Sequence, residues 1–472
     1  MRTLFKPLLF LAACSSSEKV SPPPTTSPDP LALTAFLNVS QQPGRVEVNL
    51  VAAPGRAEYL AGKPADVWAF RDGSRPGSAG TVPGPLLDVR EGDHVVVHFK
   101  NELPEETTIH WHGIRVPPMS DGTPAAQMPV PAGGSFDYEF DASDAGTFWY
   151  HPHMRGDVQI ERGLYGMVVV RGGAAIDVAA DRAFVLDDVK LEATGQLSEA
   201  TDQLDMMLGR QGNVLLVNGK RNATLRVTAG TRERWRFVNS ANGRYFNLAL
   251  AGHSFLVISW DGGLLPKPYM ADRLLVAPGE RYEVLVTLDG NVGEKRALQT
   301  LHYDRGHDIP DPGPLDLMQL ELASKAMSSP AALPTTWGRE VTLPVEASTP
   351  VRELLLSEKE EGLPEPQFFI NNERFPQITP ATGKQDDVVI WSVKNDAEMD
   401  HPFHLHGMFF RVLDVDGVAP EHLGWKDTVN IPQKKTLRFA VRYGLPGRWM
   451  YHCHILEHAE RGMMGELELS PR

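Results

Sequence analysis

The sequence predicts an all-β protein built from three consecutive β-sandwich domains, and three observations carry that reading. Beyond residue 30, apolar residues alternate with period two in runs bounded by Gly and Pro, as in half-buried strands joined by turns. The 42 Gly and 38 Pro among 472 residues suit many short strands better than long helices. One strand unit occurs three times, as VREGDHVVVHFKNEL (89–103), VTAGTRERWRFVNS (227–240) and ATGKQDDVVIWSVKND (381–396). Each copy has a Gly-containing turn, an alternating strand and then an Asn: Asn101, Asn239 and Asn395. Self-similarity at this spacing means repeated whole domains. The domains are expected at 31–174, 175–330 and 331–472. Gly172-Gly173 lies near the first boundary and a Ser/Ala/Pro stretch at 324–335 marks the second.

Residues 1–13 carry Arg2 and Lys6 ahead of a short apolar run, the shape of a brief secretory signal. Leu11-Ala12-Ala13-Cys14 resembles the bacterial lipobox, which predicts cleavage before Cys14 and a lipid on that cysteine. The Ser/Thr/Pro-rich stretch to residue 30 then reads as an extended tether. This places the protein in the cell envelope or periplasm, exported and held by lipid. No run approaches the 18 or so apolar residues that span a bilayer, which excludes a polytopic membrane protein. A net charge of −14, from 46 basic and 60 acidic residues, repels phosphate backbones and excludes nucleic acid as a partner.

The chain has 16 histidines. A random arrangement would give roughly 0.5 His-x-His pairs, and four occur: His110/His112, His151/His153, His404/His406 and His452/His454. Residues i and i+2 of a strand share a face, so each pair presents two imidazoles together. Neutral imidazole is the commonest metal ligand. The first and third domains contribute four of these histidines each. The matching strand of the middle domain, in YFNLALAGHSF, has none. A site shared by two like domains belongs at their interface, and eight imidazoles suit a cluster of about three ions.

The third domain adds HPFHLHG and HCHILEHAERGMM. Cys453 lies between His452 and His454 and so faces the other side of the strand. His401, His458 and Met463 are nearby in sequence. Two His, one thiolate and a weak axial Met make a blue-copper electron-transfer site. Zinc is the main competitor, but structural zinc prefers several cysteines, and beyond Cys14 there is only Cys453. A catalytic zinc would leave most of the histidines unexplained. An electron reaching the thiolate has a short covalent route to the cluster through its two chain neighbours.

The motifs HWHG, HPH, HPFHLHG and HCHILEHAERGMM resemble the copper signatures of multicopper oxidases, which include laccases and bacterial copper-tolerance oxidases. The segments NVLLVNGK and VAPGERYEVLV of the middle domain resemble the family too, so the likeness spans about 45 to 470. It implies three cupredoxin-like Greek-key domains and four copper ions. By that resemblance the type 1 copper takes His401, Cys453, His458 and Met463. The type 2 copper takes His110 and His404. The type 3 pair takes His112, His151, His153, His406, His452 and His454. The implied activity is that of a copper-dependent oxidoreductase, coupling four one-electron oxidations to reduction of dioxygen to water. A copper-binding scaffold should lack ligands, and a nitrite reductase-like protein needs only two sites; neither accounts for the full set.

The resemblance also implies a proton-delivery role for Asp121, although on sequence alone an Asp before Gly is a turn residue. A second acid often follows the type 1 His; here Ala459 stands there, with Glu460 next. His94, His98, His253, His302, His307 and His422 lack pair spacing and read as structural or exposed. The span 328–398 has no Met and instead carries an acidic run with Glu353, Glu358, Glu360, Glu361 and Glu365. Soft thioethers suit Cu(I), so their absence predicts an open type 1 edge and a laccase-like preference for phenols and small organic reductants. Oxidation of cuprous or ferrous ions in copper tolerance is the alternative. The chain is expected to act as a monomer.

Overall fold

A computed structural model describes residues 29–198, 201–307 and 309–472. The expected signal, Cys14 and the tether up to residue 28 lie outside the described residues.

The described residues form three pairs of sheets, one pair after another along the chain. In the first sheet of each pair, the strand of the sequence repeat runs parallel to an earlier strand. His94–Asn101 lies beside Arg45–Leu60, Thr231–Asn239 beside Ala180–Val189, and Val388–Asn395 beside Val351–Lys359. The second sheet also opens on a parallel pair: Leu87–Arg90 with Gly166–Arg171, Ala223–Ala229 with Leu315–Lys325, and Ala381–Lys384 with Met464–Ser470. Parallel neighbours need a crossover connection, and these crossovers pass from one sheet to the other, giving the cupredoxin-like sandwich.

The repeated Asn has one job in all three copies. Each is fully buried at the end of its strand. Asn101 Nδ2 donates to the carbonyls of Glu105 and Val130, and its Oδ1 accepts from Leu103 N. Asn239 serves Arg244, Val276 and Ala241 in the same way, and Asn395 serves Met399, Ile431 and Ala397. Buried backbone groups in a loop need such partners, because an unpaired one costs roughly 1–3 kcal/mol.

Each sandwich closes over its own aromatic core. Trp111, Tyr138 and Phe140 lie in the first, Trp235, Phe237 and Phe246 in the second, and Trp391, Phe403 and Phe439 in the third. Three short helices, Gly156–Gln159, Gln203–Leu208 and Leu456–Glu460, come from the three sandwiches in turn. The first two each pack on the third. The Asp202 side chain caps Gln203–Leu208 by accepting from Asp205 N at 2.8 Å. No helix among the described residues is long and apolar enough to cross a membrane.

Candidate metal centre

The paired histidines lie on equivalent strands of the first and third sandwiches or just past their ends, as His153, His406 and His454 do. In the first, His110–His112 pairs with Gly146–His151, so that His110 sits opposite His151. In the third, His401–Leu405 pairs with Gly447–Cys453, and His404 sits opposite His452. The middle sandwich places Phe246–Leu250 beside Lys295–Leu301 at this position, without a His pair.

The two sets of rings interleave across the interface. His110 stacks on His406 with centroids 4.0 Å apart, and His112 on His404 at 3.8 Å. The hydrogen bonds fix which nitrogens face inward. His110 Nδ1 donates to Asp121 O (2.8 Å) and His404 Nδ1 to Asp427 O (2.9 Å). Both leave a buried Nε2 with no partner. His151 Nδ1 donates to Pro152 O, and His112 Nε2 to Thr428 Oγ1 at 3.0 Å. The free nitrogens of these two rings, His151 Nε2 and His112 Nδ1, are 3.5 Å apart. His454, centred 4.9 Å from His112 and 5.7 Å from His151, has no partner at either nitrogen. His406 Nδ1 donates to Asp121 Oδ2 (3.0 Å) and His452 Nδ1 to Cys453 O (2.8 Å). Their Nε2 atoms face each other at 3.1 Å, and His153 Nε2 is 3.4 Å from that of His452.

Lone pairs pointed at one another across about 3 Å repel unless a cation lies among them. The donor set therefore fits metal ions. Burial pushes His112, His151, His406, His452 and His454 well below the usual imidazole range, and His153 down to about 3. Neutral rings are the form that ligates.

Cys453 opens the other face of its strand. Its Sγ is 3.4 Å from His401 Nδ1 and 3.8 Å from His458 Nδ1, and those two nitrogens are 3.2 Å apart. All three residues are fully buried. Burial lowers His401 to about 4 and raises the Cys453 thiol, so a bound cation must displace that thiol proton. Met463 packs in the same apolar cluster as Cys453, and its carbonyl accepts from Cys453 N at 3.1 Å. Met464 packs elsewhere, with Met450 and Ala459. This separates the two adjacent methionines as axial donors.

One expectation fails. The edge of this site is covered: His458 is fully buried, stacked 3.9 Å from Phe368, and its Nε2 donates to Met207 O at 2.9 Å. The Nε2 edge is capped by the helix Gln203–Leu208 of the middle sandwich, while Phe368, from 328–398, lies on the ring face. Glu358 also departs from the solvated run: its side chain is 8% exposed and accepts from His307 Nε2 at 3.1 Å, while Glu353, Glu360, Glu361 and Glu365 are exposed.

Asp121 is buried against the cluster, its Oδ2 taken by His406 and its Oδ1 without a hydrogen bond, 3.4 Å from His110 Nδ1. Glu460 is buried too, accepting from Gly156 N at 2.6 Å, and burial raises it to about 7. The six unpaired histidines stay outside both centres. His94 and His98 each bridge two carboxylates on an outer face, and His422 stacks on Tyr269.

Sequence reasoning missed Asp427, Thr428 and Arg281. The Asp427 carboxylate lies 3.4 Å from His112 Nε2 and 3.5 Å from His404 Nδ1. Burial raises its carboxyl, but the Arg281 charge and hydrogen bonds outweigh that and hold it well below the carboxylate range. No local pattern marks a lone Asp in WKDTV.

Three multicopper oxidase family models match residues 68–175, 188–294 and 347–472. A multicopper oxidase of Staphylococcus epidermidis is 29% identical over 442 residues, 90% of this chain and 89% of the relative. Among solved structures, a multicopper oxidase from Campylobacter jejuni described as a metallo-oxidase superposes with a TM-score of 0.82 at 30% identity, covering 93% of this chain and 94% of that one. A laccase from Pediococcus acidilactici gives 0.81 at 32% identity, covering 93% of both chains. Matched in all three sandwiches and along nine-tenths of its length, the chain belongs to the multicopper oxidases, copper-dependent oxidoreductases that use dioxygen as acceptor.

Proposed function

We propose that this is a laccase-like oxidase with four coppers, coupling one-electron oxidation of phenols and other small reductants to four-electron reduction of dioxygen to water. The type 1 ligands are His401, Cys453, His458 and Met463. The type 2 ligands are His110 and His404. The type 3 ligands fall into two triads, His112, His151 and His454, and His153, His406 and His452. The observation that carries this reading is the convergence of unpartnered ring nitrogens from two sandwiches on one point, joined through Cys453 to a second centre. Bound copper supplies the one-electron redox changes and the site of dioxygen reduction.

The chain's own groups do the rest. The peptide segment His452-Cys453-His454 joins the centres covalently. The Met207 carbonyl holds the His458 ring and excludes water from its edge, so a donor meets the helix rather than the imidazole. Asp121 holds the His406 ring by Oδ2 and keeps a free Oδ1 for a proton beside the cluster. We take the sandwiches as 31–174, 175–330 and 331–472. We place the protein, as a monomer, in the envelope or periplasm, with a lipid on Cys14.

The span 328–398 has no Met, and the laccase relative supports a phenol preference. The covered His458 edge and the Campylobacter jejuni relative support the second reading, oxidation of cuprous or ferrous ions. Dioxygen uptake with a methoxyphenol and with Cu(I), in one buffer without added copper, decides between them. A laccase consumes four phenols per dioxygen with the higher kcat/KM. A Cu(I) advantage above about tenfold, ~1.4 kcal/mol in the barrier, would reverse the preference.

A further inference from the structure

The middle sandwich carries none of the paired histidines, yet Gly279 touches the cluster and Arg281 reaches it through Asp427. Gly279 lies against His454: a Cβ there would stand 2.7 Å from His454 Cδ2. Glu280 pairs with Lys426 at 2.9 Å. Arg281 is fully buried and grips Asp427 with two parallel bonds, Nη1 to Oδ1 at 2.6 Å and Nη2 to Oδ2 at 2.5 Å. Its Nε donates to Thr147 O of the first sandwich, and its remaining donors reach Gly279 O and Asp261 O.

From Asp427 the bonds continue to two rings. Thr428 Oγ1 donates to Asp427 Oδ1 at 2.8 Å. With its proton committed there, Oγ1 accepts from His112 Nε2 of the first sandwich at 3.0 Å, and at 3.0 Å it shares the His404 Nδ1 proton of the third with Asp427 O at 2.9 Å. Those donations leave His112 Nδ1 and His404 Nε2 as the lone pairs facing the cluster. Gly113, directly after His112, makes room for the ion pair. With φ +85°, it would place a Cβ 2.2 Å from Arg281 Nη2 and 2.7 Å from Asp427 Oδ2.

We propose that Arg281 is a positioning residue for the histidine cluster, acting through Asp427 and Thr428 to fix which nitrogen of His112 is offered to metal and to steady the proton that His404 shares with the Asp427 carbonyl. The middle sandwich thus sets the tautomer of a ligand in the first through residues of the third. The inference rests on the ligand assignment above. A bidentate guanidinium fixes the carboxylate plane, which orients the threonine hydroxyl; an ammonium gives charge without that geometry.

The test uses Arg281→Lys, Thr428→Val, the double variant and Thr428→Ser in the full chain. Copper is titrated against a competing chelator, with the blue absorption reporting the Cys453 centre and electron paramagnetic resonance reporting the type 2 copper. Arg281→Lys and Thr428→Val should each keep the blue centre and weaken copper at the cluster about 10- to 100-fold, the usual effect of removing a ligand's hydrogen-bond partner. The double variant should lose no more than the worse single, because both act on one chain of bonds. Thr428→Ser should restore wild-type binding. Unchanged cluster affinity, parallel loss of the blue centre, or additive losses in the double variant would overturn the proposal. A wild-type chain that binds copper only at Cys453 would overturn the ligand assignment as well.

Discussion

The two metal centres share a strand and differ in how they are built. The Cys453 centre lies inside one sandwich, with all its donors between residues 401 and 463 and an apolar core around them. The histidine cluster is divided between two sandwiches, with His110 stacked on His406 and His112 on His404 across the interface. Its ring orientations depend on Asp121 from the first sandwich, Asp427 and Thr428 from the third, and Arg281 from the second. One centre thus draws all its donors from a single sandwich and only its cover, Met207, from a second, whereas the other takes ligands from two sandwiches and ring-positioning groups from all three. Changes confined to the third sandwich should therefore separate the two centres, and changes at the interface should spare the blue one.

The largest effect is expected from Cys453→Ser. It removes the thiolate, so blue colour should vanish and turnover fall at least about 10³-fold, ~4 kcal/mol, while the eight paired histidines still bind copper. Loss of cluster copper as well would break the division. Asp121→Asn acts on the other centre. Reoxidation by dioxygen should slow by about 10²-fold, the low end for a lost proton donor, with reduction of the blue centre unchanged. Stopped-flow traces of the two half-reactions check this; an unchanged reoxidation rate would return Asp121 to a turn role.

The demetallated protein offers a pH test. Histidines held neutral by burial favour the folded state above their ordinary value near 6.5, because the unfolded chain gains protons below it. Stability should fall as pH drops from about 6.5 toward 4, by up to about 1.4 kcal/mol per pH unit for each such ring. Urea unfolding at pH 7 and pH 5 measures it. Copper should keep the slope and extend it below about pH 4, since ligation holds the rings deprotonated in the folded state while the unfolded chain still gains protons. A flat profile without metal would contradict the burial argument. The smallest effect belongs to Met463→Leu, a volume-conserving swap costing less than about 1.5 kcal/mol. The blue colour should remain and the type 1 potential rise, because a weak donor to the oxidised metal is lost. A lower potential would remove Met463 from the ligand set.

Much of this architecture was legible in local pattern. Period-two spacing put His110/His112 and His404/His406 on shared faces, and the threefold Asn marked equivalent strand ends that the structure satisfies identically. Arg281 and Asp427 were not legible, because they are 146 residues apart and meet only when three sandwiches close. The cover over His458 was missed for a related reason. The Met-free stretch 328–398 belongs to the third domain, whereas the covering carbonyl, Met207, comes from the second. Glu358 looked like part of a solvated run until its partner His307 was brought against it from the neighbouring domain.

The central claim is that one strand joins a cysteine-centred copper to a histidine cluster shared between domains. Metal analysis of the copper-loaded chain, combined with its visible spectrum, tests it most directly. The account predicts a blue protein with four coppers per chain. A colourless protein holding a single zinc would contradict it.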